Sequence, residues 1–258
     1  MRSIILAAGQ GTRLRPYTDE TPKAMVHLAG KPLLYHQIDV LKHLGVDDIT
    51  VIGGYREDKI LYPGVKKIIN PKFATTNMVY TLFQAHSLFD GKDDVLITYG
   101  DVVFMPKVLS SLLSATGHLS LTIDKEWKRF WKLRMDDPLQ DAETLKIEQD
   151  KIVEIGKKPK SYDEIQGQYM GLIKVSADRA KEFYTTWLNM DHHQKYDGKD
   201  YENMYMTSYI QYLINQGWFA KPVYVENGWL EIDSVEDLDL YETMLKDGTL
   251  DPFFKPLS

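Results

Sequence analysis

The sequence predicts an α/β fold of Rossmann-like type, with a central, mostly parallel mixed sheet flanked by helices and a small antiparallel lobe. Three observations carry this. Short apolar runs at 3–8, 48–53 and 94–98 each stop at or beside glycine, as buried strands feeding tight turns do. Apolar residues at helical spacing (Leu33, Leu34, Ile38, Leu41, Leu44) lie between the first two runs, and Gly45 closes that helix. Later, shorter segments of alternating character cluster at 144–155 and 166–175. Strand, helix and strand in this order make a right-handed crossover, with ligand loops at the carboxyl ends of the strands.

The first of those loops is the most informative. Gly9 and Gly11 lack Cβ, so backbone N–H groups there close on a bulky anion without steric conflict. A dinucleotide fingerprint needs glycine at 14, where Leu14 stands, and a Walker loop ends in Gly-Lys-Ser/Thr, which is absent. Instead Arg13 stands at the mouth of the turn and Lys23 follows the stiffening Pro22. Two cations of different geometry aimed into one anion loop suit a polyphosphate whose charge shifts during reaction. The plainer alternative is a Gly-rich turn with solvated cations.

Gly53-Gly54-Tyr55 is a second candidate ligand loop, or a simple strand-to-helix turn. A strand is expected at 66–70 and a helix at 77–87, with Met78, Leu82 and Ala85 inward. Thr75, Thr76 and Asn77 before it offer amide and hydroxyl groups that either read a base edge or cap the helix. Tyr99-Gly100-Asp101 follows the strand at 94–98, placing the Asp101 carboxylate in the crevice of the first loop, where a hard divalent cation would be held.

Pro106 opens a helix through Leu113, and 118–124 alternates as a strand. Residues 125–134 pack five cations and three aromatics into ten positions. One reading is a positive, flat-walled surface for a phosphorylated substrate, with Lys125 and Arg134 on phosphate or carboxylate and Trp127 as a wall. The other is an amphipathic helix with its aromatics buried. A hairpin at 144–155, the basic turn Gly156-Lys157-Lys158-Pro159 and the segment 166–175 are expected to form the lobe over the crevice. Gly171 marks a bulge or a close backbone approach there. Lys157, Gln168, Tyr169 and, later, Trp229 are candidate acceptor contacts.

Helices are expected at 177–190 and 203–216, joined by a polar segment containing His192-His193, a pair that lacks a third ligand and reads as solvated. After a last strand at 221–225, Glu231 and Asp233 share one face of an extended segment. Asp233 or Ser234 then caps a helix, and a tail with Phe253-Phe254 supplies a packing or dimer contact. A single domain is expected over 1–258, with 1–124 binding nucleotide and 125–258 completing the acceptor and metal sites.

A net charge of −6 and a pI near 5.7 argue against a non-specific nucleic-acid or anionic-membrane binder. Any anion must be held by local cations. The absence of cysteine excludes a disulfide scaffold and thiolate metal sites, and fits a reducing compartment. The first apolar run is too short for a signal peptide or a span. The expectation is a soluble, cytoplasmic monomer or homodimer with no nucleic-acid or membrane partner.

Leu6-Ala7-Ala8-Gly9-x-Gly11-Thr12-Arg13-Leu14-x-Pro16, Thr21-Pro22-Lys23 and Lys31-Pro32-Leu33 together resemble the signature of the sugar-1-phosphate nucleotidyltransferase superfamily. Thr76-Asn77-Met78-Val79-Tyr80-Thr81, Gly156-Lys157-Lys158, Tyr162-Asp163-Glu164-Ile165, Gln168-Tyr169 and the stretch 202–208 resemble its CTP-using branch. Within it they are most similar to the glutamine-phosphate cytidylyltransferases of capsule or surface polysaccharide modification, with phosphocholine cytidylyltransferases more distant. The resemblance implies magnesium-dependent transfer of CMP from CTP to the phosphate of a small metabolite, glutamine phosphate first, with release of pyrophosphate. It implies Arg13 and Lys23 as catalytic cations and Asp101 and Asp233 as Mg2+ ligands. Leu6, Ala7, Ala8, Gly9, Gly11, Thr12, Gly54, Tyr55, Thr76, Asn77, Tyr99 and Gly100 would surround the nucleotide. Phosphocholine or a phosphonate is the second acceptor class and a hexose 1-phosphate the third. A nucleotide-sensing regulatory domain would need neither a transition-state cation nor a metal pair.

Overall fold

The computed structural model describes residues 1–257. The chain opens with β1 (Arg2–Ala7) and the short pair β2 (His27–Leu28) and β3 (Lys31–Pro32), which leads into α1 (Leu33–His43). Then follow β4 (Asp48–Gly53), β5 (Lys66–Ile69), α2 (Met78–Leu82), β6 (Val95–Tyr99), β7 (Val102–Phe104), α3 (Pro106–Leu113), β8 (Leu119–Asp124) and α4 (Trp127–Arg134). The second half adds β9 (Leu145–Glu148), β10 (Lys151–Ile155), β11 (Gln168–Val175), α5 (Ala177–Leu188), α6 (Met206–Asn215), β12 (Ala220–Val225), β13 (Trp229–Glu231) and α7 (Val235–Lys246).

Seven strands form one sheet in the order β12-β8-β11-β6-β1-β4-β5, so strands from both halves of the chain interleave. Only β11 runs against its neighbours, β6 and β8. Side chains alternate across a strand, and β1 shows the consequence: Ile4 and Leu6 join one hydrophobic cluster while Ile5 and Ala7 join the other. The first cluster includes Phe83, Phe183 and Tyr209, and the second Leu34, Leu109, Phe130 and Tyr241, so helices cover both faces.

The antiparallel lobe is smaller than expected. Of the segments expected in it, only β9 and β10 pair apart from the main sheet, turning through Gln149 and Asp150, both at positive φ. The segment 168–175 instead enters the middle of the sheet because it is apolar on both faces, Leu172 facing one cluster and Ile173 the other. Lys174 within it is 7% exposed, and its ammonium donates to the Leu113 and Ala115 carbonyls at the end of α3 (2.9 and 2.8 Å). Gly171 adopts φ +86° where the register shifts between Tyr169 and Ile173, and a Cβ there would stand 2.7 Å from the Tyr99 ring.

Several boundaries differ from the sequence reading for local reasons. The helix expected at 77–87 is α2 followed by a 3₁₀ stretch, Phe83–Leu88, with a kink at Ala85. The helix expected from 203 begins at Met206, because Asp200 accepts the Asn203 amide N–H (2.9 Å) in a turn before it. Ser234 caps α7 in a reciprocal box with Asp237, which leaves Asp233 outside the cap. Phe253 and Phe254 are buried, and the Phe253 carbonyl accepts from the Gly228 N–H (2.6 Å), so the tail packs beneath β13.

Candidate active site

Three loops converge at the carboxyl end of the sheet. In the first, Gly11 adopts φ +66°, and a Cβ on it would meet the Lys23 Cβ at 2.8 Å. The Thr18 hydroxyl donates to the Gly11 carbonyl (2.8 Å), and the buried Leu14 and Ala24 anchor the turns that carry Arg13 and Lys23. The second loop brings Asp101 from the end of β6. The third follows β13, which pairs with β7, and the Ile232 N–H donates to the Asp101 carbonyl (3.1 Å).

This geometry brings Lys23, Asp101 and Asp233 together. The Lys23 ammonium donates to Asp101 Oδ2 (2.6 Å) and to Asp233 Oδ1, and the Arg13 guanidinium lies 3.3 Å from Asp233 Oδ1 while remaining 68% exposed. Burial alone would pull the Lys23 ammonium down, but Asp101, Asp233 and Glu231 outweigh it and hold it above the usual lysine range. Burial would raise the Asp233 carboxyl; Lys23, Arg13 and Arg134 outweigh it and hold that group below its usual range.

Glu231 completes an acidic group: one oxygen each from Asp101, Glu231 and Asp233 lie within 4.8 Å of one another. Sequence reasoning did not count Glu231 as a ligand, although its spacing from Asp233 on an extended segment signalled a shared face. The Asp101 Oδ1 atom is buried and has no hydrogen-bond partner among the described residues. An all-oxygen donor set with an orphaned carboxylate oxygen fits a hard divalent cation.

Two cavities meet at this group. One, of about 150 Å³, is lined by Leu6, Ala7, Ala8, Gly9, Thr76, Asn77, Tyr99 and Gly100 together with Lys23 and Asp101. Asn77 is at the same time the α2 cap, its Oδ1 accepting the Met78 N–H (2.8 Å). Gly11, Thr12, Gly54 and Tyr55 lie outside this lining. Gly54 packs against Phe73 and Ala8, and Tyr55 donates its N–H to the Ala8 carbonyl (3.2 Å), so the second glycine loop supports the first.

The other cavity, of about 230 Å³, is walled by Trp131, Trp229, Tyr169 and Met206 and holds the carboxylates of Asp141, Glu143, Glu231 and Asp233. Tyr99 and Met78 line both spaces. The Trp229 wall is fixed from behind, because the buried Asp124 accepts its indole N–H (2.8 Å) and the Asn227 backbone and side-chain N–H groups (3.1 Å each).

Of the expected acceptor contacts, Gln168, Tyr169 and Trp229 line this cavity, whereas Lys125, Trp127, Arg134 and Lys157 do not. The amphipathic-helix reading describes α4 better: Trp127, Phe130 and Trp131 are buried, and Lys128, Arg129 and Lys132 face outward. Lys125 donates to the Gln166 carbonyl (2.9 Å) on the surface, and Lys157 pairs with Glu154 (2.6 Å). The Arg134 side chain is only 4% exposed and is committed to Asp237 (2.9 Å), Glu231 (3.0 Å) and Asp233 (3.6 Å). It holds the acidic strand from the core side and does not line the cavity. An acceptor carboxylate therefore finds no partner in Lys125 or Arg134.

Residues 3–129 match the family model described as the MobA-like NTP transferase domain. A CTP:phosphoglutamine cytidylyltransferase from Campylobacter jejuni is 40% identical over 93% of this chain and 98% of its own length. Two solved structures share the fold: an inositol-1-phosphate CTP transferase from T. maritima (TM-score 0.72, 24% identity, 98% of each chain) and a CTP:phosphocholine cytidylyltransferase from Streptococcus pneumoniae (TM-score 0.68, 23% identity, 95% of this chain and 98% of that one). The chain belongs to the NTP-transferase family and is a nucleotidyltransferase. Within that family it groups with the cytidylyltransferases, on its near-full-length relative. Among the described residues no helix is long and apolar enough to cross a membrane.

Proposed function

We propose that this enzyme moves CMP from CTP to the phosphate of a small metabolite, L-glutamine phosphate being the favoured acceptor, and releases pyrophosphate. The single observation that carries the reading is that Lys23, Asp101, Glu231 and Asp233 meet at the junction of two cavities. One cavity takes the nucleotide and the other the acceptor. An acceptor phosphate oxygen forms a bond to the α-phosphorus of CTP, and the bond to the bridging β-phosphate oxygen breaks, so pyrophosphate leaves with the electron pair. Such a step needs positioning and charge neutralisation more than covalent chemistry.

The backbone of the Gly9–Gly11 loop would cradle the triphosphate, Arg13 would meet the departing phosphates, and Lys23 would neutralise charge around the α-phosphate. Asp101 and Asp233, with Glu231 beside them, would hold Mg2+, which when bound supplies further neutralisation of phosphate charge. No general base is required, because the acceptor phosphate is already ionised at neutral pH. Thr76 and Asn77 would face the base, with Tyr99 between base and acceptor.

Pyrophosphate release from CTP, UTP, GTP and ATP is the test, with L-glutamine phosphate, phosphocholine and glucose 1-phosphate each offered as acceptor. Turnover with CTP and L-glutamine phosphate above the other pairs is expected. Preference for UTP with the hexose, or nucleotide binding with no turnover on any acceptor, would contradict the reading.

A further inference from the structure

The second cavity has a charge pattern that phosphate transfer does not account for. Four carboxylates line it and no Lys or Arg does. Glu231 and Asp233 belong to the group around Lys23, but Asp141 and Glu143 come from the segment leading into β9 and lie outside it. Asp141 is partly engaged, its Oδ2 accepting the Trp131 indole N–H (2.9 Å). The Glu143 carboxylate receives no hydrogen bond and no ion pair among the described residues, although its backbone is tightly held. The Gln168 side chain accepts the Glu143 N–H (3.0 Å) and donates to the Glu143 and Gly167 carbonyls (2.6 and 3.0 Å). Gln168 therefore spends its amide on positioning Glu143, and the group left without a protein partner is the carboxylate itself.

A carboxylate without a protein partner, in a cavity walled by Trp131, Trp229 and Tyr169, gains one when a cation arrives. The phosphate end of an acceptor cannot supply that cation. We propose that Glu143, backed by Asp141, recognises an ammonium group carried by the acceptor, and so makes this enzyme selective for amine-bearing phosphates over hexose phosphates. The inference rests on the transferase reading above and adds a specificity residue to it. Glu143 is pushed up to about 7, by burial first and then by Asp141 and Asp197, which is the condition of a carboxylate awaiting a partner.

The test is a cycle of enzyme and substrate, read as kcat/KM for CTP-dependent pyrophosphate release. Wild type and Glu143→Gln are each assayed with L-glutamine phosphate and with its deaminated analogue, which keeps the phosphate and loses the ammonium. A charge-assisted contact predicts a loss of roughly 10–100-fold for either change alone and little further loss when both are made. The loss should fall on the acceptor KM, with the KM for CTP unchanged. Glu143→Asp, which keeps the charge, should retain the preference for the amine. Phosphocholine separates the sources: turnover above glutamine phosphate would assign the group to a quaternary ammonium instead. A Glu143→Gln enzyme that still discriminates against the deaminated analogue overturns the proposal while leaving the transferase reading intact. Wild type inactive with CTP on every acceptor overturns the reading and the proposal together.

Discussion

Replacing Glu143 by glutamine should stabilise the protein at pH 8 and change it little near pH 5. In the folded chain this carboxyl is pushed up to about 7 from an ordinary 4.5, by burial in the aromatic-walled cavity and then by Asp141 and Asp197. The folded state keeps the proton until near pH 7, whereas the unfolded chain releases it near 4.5. Across that window the unfolded state binds fewer protons, so stability falls as pH rises. At 1.36 kcal/mol per unit the full difference is roughly 3 kcal/mol, and water in an open cavity screens it to about 2 kcal/mol. Glutamine carries no such proton and loses nothing over the same range. Thermal melts of both proteins at pH 5 and pH 8 measure the difference, and other titrating groups cancel between them. A gain of about 4–8 °C confined to the higher pH is expected for a chain of this size. An equal shift at both pH values would show that Glu143 is not held in a low-dielectric, unpaired state.

The remaining predictions concern the converging loops. Lys23→Ala and Arg13→Ala should each lower turnover by orders of magnitude while leaving the circular dichroism spectrum unchanged; an active Lys23→Ala enzyme would remove that residue from the chemistry. Asp101→Asn should lose activity by about 10²-fold or more and weaken the dependence on magnesium, and a normal metal titration would exclude Asp101 from the site. Arg134→Met should cost about 3–5 kcal/mol in urea unfolding, because it leaves the buried Asp237 and the half-buried Glu231 without their partner. Unchanged stability with a raised acceptor KM would return Arg134 to the substrate-contact role.

The first glycine turn and the placement of Asp101 beside it are legible in the chain because their signals are local. An apolar strand, glycines that admit backbone to phosphate, and a carboxylate after a strand end each lie within a dozen residues. Asp233 reads equally as cap or ligand from the sequence, and in the structure Ser234 takes the cap in a box with Asp237. The basic and aromatic run at 125–134 misled because composition does not reveal direction. Once folded as α4, its rings pack inward and its last arginine turns onto Asp237 and Glu231.

What the sequence by itself determined is the strand–glycine–helix rhythm, the order of most elements and the cations of the first loop, since these depend on neighbours along the backbone. Only the tertiary structure decided that β11 lies in the central sheet, that Glu231 joins Asp101 and Asp233, and that Glu143 stands unpaired in an aromatic cavity. Each of those depends on which distant surfaces bury one another. A carboxylate's charge, partner and solvent are set by that burial, and no spacing along the chain encodes them.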